Sequence, residues 1–424
     1  MWLRAAFLLT VAGWGANQFS PLLAAYQRGL GVSGTAVTGL FALYVVGLVP
    51  GLLLGGPLAD RRGRRPVVLG AVLLNGVATL ALMAGVLAVP WLAVGRVLTG
   101  LGTGAVLAAG TAWVRELTLL AGTTDDGAGA RRAGVLLSAG FSLSGLVAAL
   151  LAQWAPRPLV VAYLPHLVLC VAGLLLALAC PETRPSRPAA TRVRQRDRRF
   201  RALVLPVALW VFVGPSISFG VLPGQVAPAE WETLHAGLAA LLAPGTGALV
   251  QPLARRLAAR GERVPAVVGL GLLGLGLALA ALTAARGMPL AALACCALLG
   301  AGYGCCSTYC LTVVGRIAAP GGLARLTSVF WVVAYLGFAA PYLFALAAPV
   351  ADAPALLAGL AVLALLTGLR SARHQPDRDG QERRDADQVQ RVGEPGVPEP
   401  VGDAGGGQHD GQLPERGEHQ EDHA

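Results

Sequence analysis

Apolar stretches of about 20 residues recur along the chain, the length an α-helix needs to cross a hydrocarbon layer roughly 30 Å thick. At that depth no water satisfies backbone N–H and C=O groups, so each stretch must pair them internally, as a helix does. A membrane β-barrel would alternate apolar and polar residues, and the sequence does not. Of 424 residues, 55% are hydrophobic and 13% charged, against about 25% charged in ordinary globular domains. A water-soluble fold is thereby excluded. Runs bounded by Arg, Pro, Gly and Asp clusters predict twelve spans, at roughly 4–27, 36–58, 66–87, 91–114, 133–154, 158–180, 202–222, 234–254, 264–285, 289–314, 324–347 and 354–370. Met1 to Gln27 lacks a charged leader and is read as an uncleaved first helix.

The net charge of +10 conceals two opposing parts. Six of the 33 basic and 13 of the 23 acidic residues follow Leu369 and Arg370, so the preceding body carries 27 arginines against 10 acids. Lysine is absent, which together with abundant Ala and Gly fits a biased coding composition. The arginines gather in alternate connections: Arg61, Arg62, Arg64 and Arg65; Arg131 and Arg132; Arg184 to Arg201; Arg255, Arg256, Arg260 and Arg263; and Arg316. The intervening connections hold Arg28, Arg157 and Arg286. The positive-inside bias therefore puts both termini in the cytoplasm, with a bacterial plasma membrane as the expected location. Anionic lipid headgroups are the partners this pattern implies, and nucleic acid is not. The seven cysteines, Cys170, Cys180, Cys295, Cys296, Cys305, Cys306 and Cys310, lie in apolar segments and suggest no disulfide framework. They read as small packing residues, so no metal is expected.

The polar segment 181–201 divides the spans six and six, giving an N-terminal bundle at 1–180, a basic linker, a C-terminal bundle at 202–370 and an acidic tail at 371–424 too poor in aliphatic residues to build a core. Its His374, His409, His419 and His423 are too scattered to read as a metal site. The halves match at an offset near 200 residues: Gly100, Gly102 and Gly104 against Gly300, Gly302 and Gly304; Phe19 against Phe219; and PLADRRGRRPVVLG from Pro57 against PLARRLAARGERVPAVVG from Pro252. Such duplication places a binding site near the midplane, between the halves.

The most specific motif is Gly56-Pro57-Leu58-Ala59-Asp60-Arg61-Arg62-Gly63-Arg64-Arg65. Gly56 is expected to permit close helix approach, Gly63 a tight turn, and Asp60 to accept from backbone donors at a helix N-terminus. The stretch resembles the signature loop of the major facilitator superfamily, G-x-L-a-D-r-x-G-r-[KR]. A topogenic basic turn explains its arginines but not its Gly and Asp. The resemblance implies two pseudo-symmetric six-helix bundles in an all-α polytopic membrane protein. It also implies a latch made by Gly56, Asp60, Arg61, Gly63, Arg64 and Arg65, engaging the start of the eleventh span near Arg325. Arg96, Gly100 and Gly102 resemble the superfamily's fourth-helix pattern R-x-x-x-G-x-G, in which the arginine is tied to coupling or substrate orientation. Arg96 either faces a cavity or snorkels to outer headgroups. Leu146 stands where proton-coupled efflux members carry proline, and Pro181-Glu182-Thr183 is similar to a common ending of the sixth helix.

The spans that line the pathway in this superfamily supply uncharged substrate-binding candidates: Asn17, Gln18, Thr99, Thr103, Ser216, Ser218, Tyr303, Ser307 and Thr308, with Trp331 and Tyr335 as aromatic wall. Each polar one is equally able to bond to a backbone carbonyl. Asn75 reads as interhelical glue. No Asp or Glu falls mid-span, leaving His166 as the one titratable candidate for coupling; a structural donor is its other reading. Glu230, Glu232 and Glu116 lie near span ends, where they are solvated or gate. Nucleotide-loop and metalloprotease signatures are missing, so neither enzyme activity nor a cofactor is expected. The expected function is monomeric secondary transport of a small molecule by proton-coupled antiport, exporting a drug or metabolite. An uptake symporter or uniporter and a non-translocating receptor are the alternatives.

Overall fold

The computed structural model describes residues 1–122, 128–183, 198–318 and 323–373. Most of the basic linker and the acidic tail, with its histidines, lie outside the described residues. Eleven helices among the described residues are long and apolar enough to cross a membrane. In chain order they are α2 (Gly34–Arg62), α3 (Arg64–Val86), α4 (Pro90–Leu120), α5 (Ala128–Trp154), α6 (Pro158–Leu178), α7 (Phe200–Gly220), α8 (Glu232–Arg260), α9 (Val264–Arg286), α10 (Pro289–Ile317), α11 (Arg325–Ala347) and α12 (Ala353–Arg373). They are preceded by α1 (Trp2–Asn17), whose 16 residues are too short alone. A 3₁₀ turn at Ser20–Leu22 and a helix at Leu23–Leu30 complete its crossing. Several helices overrun the predicted spans, because their polar ends continue past the apolar limit.

The break in α1 has a local cause. Pro21 has no N–H for the helical ladder, and Ser20 Oγ turns back to the carbonyl and side chain of Asn17 at 2.9 Å. Asn17 Nδ2 then donates to the Phe141 carbonyl of α5 at 2.9 Å. The other repeat does the same. There α7 ends at Gly220 ahead of the short helix Leu222–Val226, Ser216 Oγ donates to the Gly337 carbonyl at 2.9 Å, and α11 is itself interrupted by a 3₁₀ turn at Leu336–Ala339. Freed backbone groups inside an apolar slab are satisfied in this way by a neighbouring helix.

The glycine repeats are packing seams. A Cβ at Gly104 would lie 2.7 Å from the Leu52 N of α2, and one at Gly102 would lie 2.8 Å from the Ala71 O of α3. In the second repeat, a Cβ at Gly304 would lie 3.0 Å from the Gly247 backbone of α8, and one at Gly302 would lie 2.8 Å from the Gly269 O of α9. Thus α4 and α10 each wedge between two neighbours at backbone contact, where small residues supply the van der Waals surface that lipid cannot replace. Gly56 differs from its expectation, since a Cβ there meets nothing within 4 Å. The close approach falls one residue earlier, where a Cβ at Gly55 would lie 2.7 Å from Ala105 Cα.

The six-helix bundles meet along α5 with α8 and α2 with α11. A Cβ at Gly237 of α8 would lie 3.1 Å from the Gly145 O of α5. Both termini of the described helical body lie on one face. On the opposite face Arg28 pairs with Glu232 at 3.1 Å and donates to Thr233 at 3.1 Å, while Gln153 Nε2 donates to the Glu230 carbonyl at 2.7 Å. These contacts join the two bundles. Gly104→Val and Gly304→Val should each lower stability by about 1–3 kcal/mol through overpacking, whereas Gly56→Val should be near neutral. Thermal unfolding of detergent-solubilised protein checks this, and equal melting temperatures for all three would contradict the seam.

Candidate functional site

The α2–α3 loop is held by carboxylates of its own bundle. Gly63 adopts φ 102°, a conformation that other residues rarely tolerate. Beyond it, Glu182 accepts from Arg64 N at 2.7 Å and Arg65 N at 3.2 Å, capping the first turn of α3. Asp60 does not take that capping place. One turn before Arg64, it accepts from Arg64 Nη1 at 2.7 Å, and Arg64 Nε reaches Glu116 at 3.2 Å. Thr183 Oγ1 donates to the other Glu116 oxygen, Trp113 Nε1 donates to the Pro181 carbonyl at 3.1 Å, and Arg65 Nη2 caps α6 at the Leu178 carbonyl at 2.6 Å. Arg61 is exposed. The short Pro-Glu-Thr ending is therefore the loop's anchor, and the side-chain partners described for Asp60 and Arg64 lie in the first six helices.

Arg96 does not snorkel. It is wholly buried, with Nη2 donating to the Phe41 carbonyl at 2.9 Å and Nε to the Leu40 carbonyl at 3.4 Å. Its guanidinium carbon lies 4.6 Å from the Phe19 ring centre, 4.8 Å from Tyr44 and 5.5 Å from Phe41. Nη1 has no hydrogen-bond partner among the described residues. Gly100, its companion in the motif, packs against α2. A Cβ there would lie 2.7 Å from Leu48 N, so Gly100 belongs to the α2–α4 seam.

His166 is a knot between three helices. Nε2 donates to the Val11 carbonyl of α1 at 3.1 Å, while Nδ1 meets Gln18 Nε2 at 3.1 Å and Thr79 Oγ1 of α3 at 2.6 Å. A carbonyl only accepts and an amide nitrogen only donates, so both ring nitrogens are committed in the neutral form. The other polar candidates serve the backbone. Thr99 donates to the Gly95 carbonyl at 2.7 Å, Ser218 to Gly214 at 2.9 Å, Ser307 to Gly304 at 3.1 Å and Thr308 to Gly304 at 2.8 Å, each within its own helix. Thr103 reaches the Ala12 carbonyl of α1 at 3.5 Å. Asn17 and Ser216 hold the helix breaks described above.

A small cavity lies between the bundles. Its walls come from α5 (Leu137, Ser138, Phe141), α7 (Phe212, Pro215, Phe219), α8 (Pro244), α10 (Tyr303) and α11 (Trp331, Tyr335, Phe338). Of the substrate-binding candidates, Tyr303 lines it, as do both aromatic-wall residues. Phe212 is the hub, stacked on Tyr335 at 4.4 Å and set 5.0 Å from Phe338 and 5.4 Å from Tyr303. Phe141, Phe212, Phe338 and the pocket prolines were not among the sequence candidates. The i, i+4, i+7 aromatic spacing of Trp331, Tyr335 and Phe338 was the available signal.

A family model of the Major Facilitator Superfamily matches residues 5–342. The chain belongs to that superfamily. It is accordingly an integral, multi-pass membrane transporter with two pseudo-symmetric bundles. Solved structures of superfamily build share the fold. A POT family transporter in complex with 5-aminolevulinic acid has TM-score 0.71 at 14% identity, covering 86% of this chain and 94% of that one. A D-xylose-proton symporter has TM-score 0.67 at 16% identity, covering 89% and 97%. By sequence, the superfamily member is similar to the 3-(3-hydroxy-phenyl)propionate transporter of Escherichia coli (strain K12), 42% identical over 72 residues, or 16% of this chain and 17% of that protein. It is also similar to a chloramphenicol resistance protein of Pseudomonas aeruginosa, 30% identical over 202 residues, or 46% of this chain and 44% of that protein. The matches thus span less than half the length of either relative.

Removing the His166 knot should be costly. His166→Leu leaves buried polar partners unpaired at about 1–3 kcal/mol each, while Ser307→Ala, which removes a bond within one turn, should change stability by under about 1 kcal/mol. Denaturation monitored by tryptophan fluorescence distinguishes them, and comparable losses would contradict the assignment.

Proposed function

We propose that this superfamily member exports a small, largely apolar solute by alternating access, in exchange for protons. The observation that carries the reading is the cavity between the bundles, whose eleven lining residues include seven aromatic side chains and no charge. A site of this kind binds by burying flat apolar surface and uses few polar groups for orientation. Contacts between the bundles around Arg28 and Glu232 close the face opposite the termini, while Arg64 with Asp60 and Glu116, and Arg316 with Glu262, pair within single bundles on the terminal face. In this reading the arginine distribution puts the terminal face in the cytoplasm, and the contacts around Arg28 and Glu232 act as the outer closure over the cavity. The names of the two sequence relatives support an aromatic solute, since hydroxyphenylpropionate and chloramphenicol each carry a benzene ring. The latch residues Gly56 to Arg65, with Glu182, act in this reading as the anchored end of a cytoplasmic closure.

A uniporter or symporter is the second reading. It is favoured by the placement of Asp60, Glu116, Glu182, Glu230, Glu232, Glu262 and Asp352 at or near helix ends, away from the membrane middle. Proteoliposomes loaded with labelled chloramphenicol or 3-(3-hydroxyphenyl)propionate test the proposal. Counterflow should be measurable in the wild type, accelerate at least threefold under an opposing proton gradient, and fall at least tenfold in Trp331→Ala. Flux indifferent to the gradient selects the uniporter, and binding without counterflow would contradict transport itself. For the latch, Asp60→Asn should slow counterflow several-fold while membrane insertion is unchanged, and wild-type flux would remove the assignment.

A further inference from the structure

On the pathway helices Thr99, Ser218, Ser307 and Thr308 each close on a carbonyl of their own helix. Four polar side chains that line the cavity do not. Ser138 of α5, Tyr303 of α10, and Trp331 and Tyr335 of α11 make no side-chain hydrogen bond among the described residues, although polar groups in a protein interior are normally paired. Three of the four come from one bundle and surround a single ring: Phe212 lies 4.4 Å from Tyr335, 5.4 Å from Tyr303 and 6.2 Å from Trp331. Ser138 comes from the other bundle. Charge is kept out of the same space. The cavity lining holds no acidic or basic side chain. Arg96 directs its guanidinium to the Leu40 and Phe41 carbonyls among the rings of Phe19, Phe41 and Tyr44, and none of those residues lines the cavity.

We propose that the solute is an uncharged aromatic molecule carrying a hydrogen-bond acceptor, oriented by the Trp331 indole N–H and the Tyr303 and Tyr335 hydroxyls, with Ser138 as the polar contact from the opposite bundle. The inference rests on the transporter reading and narrows its substrate class. An indole N–H only donates, whereas a phenol or an alcohol donates or accepts. This set therefore matches an amide, ketone, ether or alcohol oxygen, and a group that can only donate leaves the indole unpaired. A carboxylate also accepts, but it brings a charge that no lining residue neutralises, and an ionised acid removed from water without a partner is strongly disfavoured. The aromatic walls then hold the ring of the solute by offset or edge-on stacking. Selectivity in this arrangement lies in the polar handles, because apolar walls alone separate related aromatic molecules poorly.

The test uses full-length protein in detergent, titrated calorimetrically at pH 7.5 with 3-phenylpropanamide and with 3-phenylpropionate. The two probes share a ring and a chain and differ in charge. Wild-type protein should bind the amide at least tenfold more tightly than the anion. Tyr303→Phe and Tyr335→Phe, which keep the rings and their packing, should each weaken amide binding three- to tenfold, and together by more than either alone. Each single variant decides the matter if the double variant does not fold. Binding of the anion as tightly as the amide, no binding of the amide, or amide affinity within twofold of wild type in both single variants would overturn the assignment. Counterflow of labelled 3-phenylpropionate in proteoliposomes would then still support transport, so the two readings fail separately.

Discussion

Close backbone contact at small residues is the interaction on which this membrane fold depends. Among lipid tails there is no hydrophobic gain from bringing two apolar helices together, so association has to come from dense packing and interhelical hydrogen bonds. Gly104 and Gly304 against α2 and α8, and Gly102 and Gly302 against α3 and α9, give each bundle the same wedged core. Polar ties complete it. Asn17 to Phe141 in one bundle and Ser216 to Gly337 in the other join equivalent broken helices at equivalent places. Within a bundle the contacts are therefore backbone-tight and hydrogen-bonded.

Between the bundles the chemistry changes. Apart from the small-residue crossing of α5 and α8, the interface near the middle is made of aromatic rings, and at the closed face it is made of exposed or half-exposed pairs such as Arg28 with Glu232. Ion pairs of that kind contribute only about 0–1 kcal/mol, and ring pairs about 0.5–1.5 kcal/mol beyond their buried area. Rigid units joined by individually weak, separable contacts are what rocking requires. Arg96 stands at this boundary. Burying its charge costs several kcal/mol, offset in part by carbonyl bonds to a charged donor at about 1.5–3 kcal/mol each and by desolvated cation–π contacts of about 2 kcal/mol.

The sequence made the scaffold legible because apolar length and the positions of Gly, Pro and Arg are one-dimensional signals. Twelve spans, the duplicated glycines and the loop at Gly63 could all be read from it. Side-chain partnership is not written that way. Asn17, Thr99, Ser218 and Ser307 are polar residues on pathway helices, yet each bonds to a carbonyl, since in an apolar solvent a nearby backbone acceptor competes successfully for a hydroxyl or amide. The cavity is walled by rings on α5, α7, α10 and α11; Tyr303, Trp331 and Tyr335 were legible as candidates, whereas Phe141, Phe212, Phe219 and Phe338 look in sequence like ordinary membrane apolar residues. His166 was recognisable as a buried histidine, but its commitment to Val11, Gln18 and Thr79 depends on three helices meeting. The weak Pro-Glu-Thr motif proved structurally informative because the chain returns Glu182 to the start of α3.

Two bundles that hold their own shape and exchange contact at opposite faces are the core of this account. Spin-label distances by double electron–electron resonance in liposomes test it most directly, using one label pair at exposed positions 157 and 230 on the closed face and another at positions 62 and 260 on the terminal face. The account predicts two distance populations for each pair, with the closed-face distance growing as the terminal-face distance shrinks when an aromatic solute is added. A single unchanging distance at both faces, or both distances lengthening together, would contradict it.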